Sequence, residues 1–226
     1  MHTTIGRYRI TCYLPENGKA DRIVYLHTAA DEAEQIWNLT TQDFALAAVD
    51  GLDWNRELSP WYHEKVFAKG ESFAGEADDY LTLLTGRLIP ETESAFLPAW
   101  KKRYLAGYSL GGLFAVYALY KTDVFDAVAS VSGSLWYGGF TSYVEEHTVA
   151  RNPDKVYFSL GDKEAVSARG IMRNVLTCTK QIEEKFRRGG IPTVLEMNRG
   201  NHFDQVPERM AKGIDWIMST QREVQT

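Results

Sequence analysis

Ser109 stands in the run Gly107-Tyr108-Ser109-Leu110-Gly111-Gly112, a GxSxG pattern that makes it the candidate for covalent chemistry. A serine hydroxyl is a poor nucleophile until a base takes its proton, and a third group must orient that base. Around a strand–GxSxG–helix turn the partners follow in the chain order serine, acid, histidine. Of the five histidines, only His202, in Arg199-Gly200-Asn201-His202-Phe203, comes late enough. His2 is terminal, His63 falls in a long loop, His27 closes an early strand, and His147 precedes the strand expected to deliver the acid. The acid is expected after the apolar run Val156 to Leu160, where the chain reads Gly161-Asp162-Lys163-Glu164. Asp162 and Glu164 both qualify. Either could accept the Nδ1–H of His202 and stabilise the imidazolium, and either could equally be a solvated turn residue. The oxyanion formed on attack needs two backbone donors. The amide of Leu110, next after the serine, is one; the loop after His27 is expected to supply the other, at Ala29 or Thr28.

These residues need a scaffold that brings distant loops together. Short apolar runs at Arg7 to Leu14, Arg22 to Leu26, Phe44 to Val49, Arg103 to Ala106, Ala127 to Val131, Val156 to Leu160 and Thr193 to Met197 read as strands. Between them lie stretches of helical period. Ala77, Tyr80, Leu81, Leu84 and Leu88 share one face of a helix beginning at Glu76, which Pro90 is expected to end. Gly111 to Tyr120 is a buried helix, and a long amphipathic helix is expected from about Ala168 to Arg188, stopped by Gly189-Gly190. A last helix opens at Pro207 with the stripe Met210, Ile214 and Ile217, and the polar tail after Ser219 reads as frayed. Strand and helix in alternation predict an α/β fold, a mostly parallel sheet with helices on both faces. Its chemistry belongs on the loops at the C-terminal strand ends. A second serine run, Gly70-Glu71-Ser72-Phe73-Ala74-Gly75, follows no buried strand, so Ser72 reads as part of a loop before the Glu76 helix.

At 226 residues, without repeats or linker-like tracts, the chain reads as a single domain over residues 1–226. Its net charge of −5 argues against a general nucleic-acid binder, which needs surplus Lys and Arg for phosphates. Two cysteines, Cys12 and Cys178, are too few for a disulfide scaffold, and no Cys/His cluster suggests a metal. The first residues lack the apolar stretch of a signal peptide, and no uncharged run suits a bilayer, so a cytoplasmic location away from membranes is expected. No phosphate loop or dinucleotide fingerprint appears, and no cofactor is expected. The expected partner is a small-molecule ester substrate.

The run Gly107 to Ala115, followed by Phe125-Asp126-Ala127 and Ser132-Gly133-Ser134-Leu135-Trp136, resembles the Putative esterase family of α/β hydrolases. The resemblance is closest to its enterochelin-esterase-like branch. It extends to Arg56-Glu57-Leu58-Ser59-Pro60-Trp61, to Gly75-Glu76-Ala77-Asp78 leading into Leu88-Ile89-Pro90, and to Gly161-Asp162-Lys163-Glu164, and so covers most of the chain in order. It implies an α/β-hydrolase fold with Ser109 as nucleophile and His202 as base. It places the acid three residues after the turn glycine, at Glu164. The chain departs from its relatives in carrying Thr28 where they often have glycine, and in a short N-terminus with one strand before the strand that ends at His27.

Only about twenty residues, Leu135 to Asp154, separate two strands where many relatives insert a lid, so no large cap is expected. The main insertion runs from Leu52 to Ala74 with Trp54, Trp61, Tyr62, Phe67 and Phe73. Two readings of these aromatics stay open, one wall of an acyl or aryl pocket with Trp136, or pins that fix a long loop to the core. The expected activity is carboxylic ester hydrolysis through an acyl-enzyme. A thioesterase or acyltransferase would use the same parts, and a hydrolase-fold binding module without chemistry is the alternative from another class.

Overall fold

The computed structural model describes residues 1–29, 31–41, 44–66, 69–96 and 101–219. Ala30, Phe67 and the tail beyond Ser219 lie outside the described residues. Eight strands, β1 (His2–Ile5), β2 (Tyr8–Tyr13), β3 (Arg22–His27), β4 (Ala45–Asp50), β5 (Lys102–Tyr108), β6 (Ala127–Val131), β7 (Lys155–Gly161) and β8 (Thr193–Asn198), form one sheet in the order β1-β2-β4-β3-β5-β6-β7-β8. The β1–β2 and β2–β4 pairs are antiparallel, and every other pair is parallel. Two strands therefore precede β3 rather than the expected one. Gly6, at φ +62°, turns β1 back onto β2 in a tight hairpin with Ile5 opposite Tyr8.

The strands alternate between two apolar cores, as a side-chain period of two requires. In β3, Ile23 and Tyr25 enter one core while Val24 and Leu26 enter the other. Helices α1 (Ala33–Leu39) and α9 (Val206–Met218) close the second face, with Ile36, Met210, Ile214 and Ile217 buried there. The first face is covered by α3 (Ala77–Leu83), α4 (Ile89–Phe96), α5 (Leu110–Lys121), α6 (Phe140–Glu146) and α8 (Val175–Arg188). Short helices α2 (Trp54–Glu57) and α7 (Glu164–Ser167) complete the set among the described residues.

Two helix boundaries differ from expectation. Pro90 does not end its helix. Leu84–Leu88 widen into a π-helix and α4 continues to Phe96, and the wider turn relieves the clash between the proline ring and the carbonyl four residues back. The amphipathic helix begins at Val175 rather than Ala168, because Gly170 at φ +58° opens a 3-10 turn, Gly170–Asn174, ahead of it.

Register is what positions the site. Parallel pairing sets His27 beside Gly107, Tyr108 beside Val131, Val131 beside Ser159, and Gly161 beside Asn198. The loops that follow β3, β5, β6, β7 and β8 thus leave the sheet along one edge, next to one another. The segment from Leu135 to Asp154 carries only α6, and the described residues form no large cap domain.

Candidate active site

Ser109 links β5 to α5 with φ 55° and ψ −117°, a left-handed conformation that a non-glycine residue adopts only under constraint. Two glycines make the turn possible. A Cβ on Gly107 would stand 2.2 Å from the carbonyl of Gly111, and one on Gly111 would meet the His27 carbonyl oxygen at 2.8 Å. Hydrogen bonds fix the turn from the neighbouring strand. The Ser109 amide donates to the Val131 carbonyl at 3.0 Å, and the Ser134 amide donates to the Ser109 carbonyl at 3.0 Å. The hydroxyl remains half-buried at the surface, 3.4 Å from the Ser134 hydroxyl.

His202, on the loop after β8, brings Nε2 to 3.2 Å from Ser109 Oγ and Nδ1 to 2.9 Å from Glu164 Oε2. Tyr108 holds it twice over. The phenol donates to the His202 carbonyl at 2.5 Å, and the two rings lie 4.9 Å apart. Phe203, 80% exposed, meets the imidazole edge-on.

Glu164, at the start of α7, is 3% exposed. Its Oε1 accepts from the Ser132 hydroxyl at 2.5 Å, the Gly161 amide at 2.6 Å and the Arg209 guanidinium at 2.7 Å. Burial pushes its pKa up, but the hydrogen bonds from His202, Gly161 and Ser132 outweigh burial and hold it below the ordinary carboxylate value. An ionised carboxylate can only accept, so Nδ1 of His202 carries a proton, and in the neutral imidazole Nε2 then presents its lone pair to the serine hydroxyl. Asp162 is exposed and turned elsewhere, with Oδ1 accepting the Gly200 amide at 2.9 Å. Of the two carboxylates left open by the sequence, Glu164 is the one brought to His202.

The Leu110 amide is the first of α5, where no carbonyl of the helix can reach it. Ala29 is exposed on the loop after β3, its carbonyl accepting from the Glu32 amide at 3.0 Å. The approach of Gly111 to the His27 backbone brings that loop against the start of α5. Thr28 is buried and donates its hydroxyl to Glu32 at 2.5 Å. His27 itself is fully buried, with Nε2 2.6 Å from the Tyr80 hydroxyl, and burial pulls its pKa down to about 3.

The insertion aromatics are mostly pins. Trp61 packs against Tyr117, Tyr137, Phe140 and Tyr143 and donates its indole N–H to the Gly138 carbonyl at 2.9 Å. Phe73 is buried against Trp136 and Tyr137. Tyr62 is exposed, and Trp54 is partly buried at the edge of the core.

Sequence reasoning missed Arg209, Ser132 and Tyr108 as members of the site. Arg209 had a readable signal, because it falls between Val206 and Gly213 on the core-facing stripe of α9, where a charge is out of place. No metal-binding cluster of His, Cys, Asp or Glu occurs among the described residues. No described helix is long and apolar enough to cross a membrane.

Residues 2–203 match the sequence model of the family described as Putative esterase. A curated relative, the uncharacterized protein YbbA of Bacillus subtilis (strain 168), is 23% identical over 237 residues, covering 96% of this chain and 95% of its own. The siderophore hydrolase EstA of Aspergillus nidulans superposes with a TM-score of 0.77 at 19% identity, over 94% of this chain and 91% of that one. An IroE-like serine hydrolase of Shewanella oneidensis gives a TM-score of 0.79 at 18% identity, over 92% and 75%. At such identities the two structures share the fold.

Proposed function

This chain belongs to the Putative esterase family of α/β hydrolases, and from that premise we propose that it cleaves carboxylic esters of small molecules through Ser109, His202 and Glu164. The observation that carries the reading is the continuous hydrogen-bonded line from Ser109 Oγ to His202 Nε2 and from His202 Nδ1 to Glu164 Oε2.

In this reading His202 takes the Ser109 proton as Oγ attacks the ester carbonyl carbon, and Glu164 stabilises the imidazolium that forms. The tetrahedral oxyanion is held by the Leu110 amide at the start of α5 and by the Ala29 amide. His202 then gives its proton to the leaving alkoxide, leaving the acyl group on Ser109. A water molecule, deprotonated by the same imidazole, releases the acid and restores the serine. We further propose a reducing, cytoplasmic compartment, in which Cys12 and Cys178 stay free thiols.

The test is hydrolysis of a p-nitrophenyl ester series of rising acyl length, beside a matched acyl thioester. Wild type should turn over the esters, and Ser109→Ala should lose at least about 10³-fold in kcat. Equal activity in Ser109→Ala, or turnover of the thioester alone, would overturn the reading.

A further inference from the structure

We propose that Arg209 is a positioning residue of this site, a buried cation on α9 that holds the acid Glu164 and the backbone loop bearing His202 in one fixed geometry. The inference rests on the esterase reading above and asks what keeps its acid and base in register.

Arg209 is 1% exposed, and each of its terminal nitrogens has a separate task. Nη2 donates to Glu164 Oε1 at 2.7 Å and also meets the Ser132 hydroxyl. Nη1 donates to the carbonyls of Asn201 and Asp204, both at 3.2 Å. Those two carbonyls bracket His202 in the chain. One planar fork therefore ties the acid to the segments on both sides of the base, a geometry that a flexible ammonium cannot reproduce.

The burial is costly unless it does something an apolar residue could not. An aliphatic side chain at this place on the α9 stripe would remove the desolvation penalty of the guanidinium but leave the buried Glu164 carboxylate without its cation. What it could not do is saturate Oε1. With Ser132, Gly161 and Arg209 all donating to that oxygen, the carboxylate cannot rotate, and Oε2 is left as the acceptor for His202. Ser132 is itself fixed at φ 46° by its amide, which donates to the Ser159 carbonyl at 2.8 Å. The acid is thus held from β6, β7 and α9 together.

A positioning role is coupled to Glu164, whereas a merely structural role is not, and a double-mutant cycle separates them. Arg209→Met, Glu164→Gln and the double variant are assayed on p-nitrophenyl acetate for kcat and KM, with a thermal melt of each. Arg209→Met should lower kcat by about 50-fold with KM within about threefold, and in the Glu164→Gln background it should cost less than about threefold. Where Arg209→Met does not fold, Arg209→Lys enters the same cycle. It keeps the charge but not the fork, and should lose about 10-fold in the wild-type background and less than about threefold beside Glu164→Gln. Equal losses in both backgrounds, or no loss in a folded variant, overturn the inference while leaving the esterase reading in place. A wild type that hydrolyses no ester overturns that reading, and the inference falls with it.

Discussion

Glu164 Oε2 lies 2.9 Å from His202 Nδ1, whereas Asp162, two residues earlier on the same turn, spends its carboxylate on the Gly200 amide. Both residues leave β7 on one short turn, yet only one reaches the base. The two carboxylates should therefore separate by mutation. Glu164→Gln is expected to lower kcat by about 10²- to 10⁴-fold, since it loses the carboxylate that fixes the imidazole tautomer and stabilises its charge. Asp162→Asn should cost less than about 10-fold. Steady-state kinetics on p-nitrophenyl acetate decide this, and the reverse order would move the acid to Asp162.

Gly107→Ala should abolish the site by destroying the turn that presents Ser109. The added Cβ would stand 2.2 Å from the Gly111 carbonyl, backbone against backbone, with no flexible group able to yield. A loss of about 3 kcal/mol or more is expected from urea melts, together with loss of ester turnover. Gly86→Ala is the control, because nothing lies within 4 Å of its added methyl, and it should be neutral or stabilise by up to about 1 kcal/mol. Equal melting of the two variants would refute the packing argument.

Acid should weaken the fold through His27 before it reaches the carboxylates. Burial holds the folded His27 at about 3 against 6.5 for the free imidazole. Between those values the unfolded chain binds the extra proton, so stability is full above about pH 6.5 and falls as pH drops through the window. The loss from pH 7 to pH 5 should be about 2 kcal/mol. Glu164, held below its ordinary value, adds its own loss only at lower pH, as the unfolded carboxylate protonates and pH then falls through the folded value. Urea midpoints at pH 7, 6 and 5 should decline for wild type and decline less for His27→Gln. A His27→Gln profile as steep as wild type would contradict this assignment.

Trp61 should matter to stability and not to substrate choice. Its ring packs among Tyr117, Tyr137, Phe140 and Tyr143. Trp61→Ala is expected to cost about 3 kcal/mol, while the ratio of kcat/KM between acetyl and hexanoyl esters stays within about threefold. A large change in that ratio would restore Trp61 to the pocket wall.

What the sequence made legible follows from which signals are local. The runs Ala127–Val131 in β6 and Val156–Leu160 in β7 are apolar almost throughout because the sheet buries them on both faces, and their register with β5 aligns the site loops. The GxSxG turn reads directly, since its glycines answer contacts that only one strand–helix crossing makes. β1 escaped notice because its four residues are too few to show a period. The choice between Asp162 and Glu164 depends on rotation about one turn, which no local pattern encodes. Arg209 is the instructive omission. Its side-chain partners are Glu164, 45 residues away, and Ser132, 77 residues away, and the local trace of those contacts is a charge on an apolar stripe.

The most direct measurement is covalent labelling with a fluorophosphonate probe, read as intact mass, on wild type and Ser109→Ala. It needs no knowledge of the natural ester. Because His202 and Glu164 are already aligned on the hydroxyl, wild type should take up one probe per chain and Ser109→Ala none. A folded wild type that stays unlabelled, or a Ser109→Ala protein that labels equally well, would contradict Ser109 as an activated nucleophile.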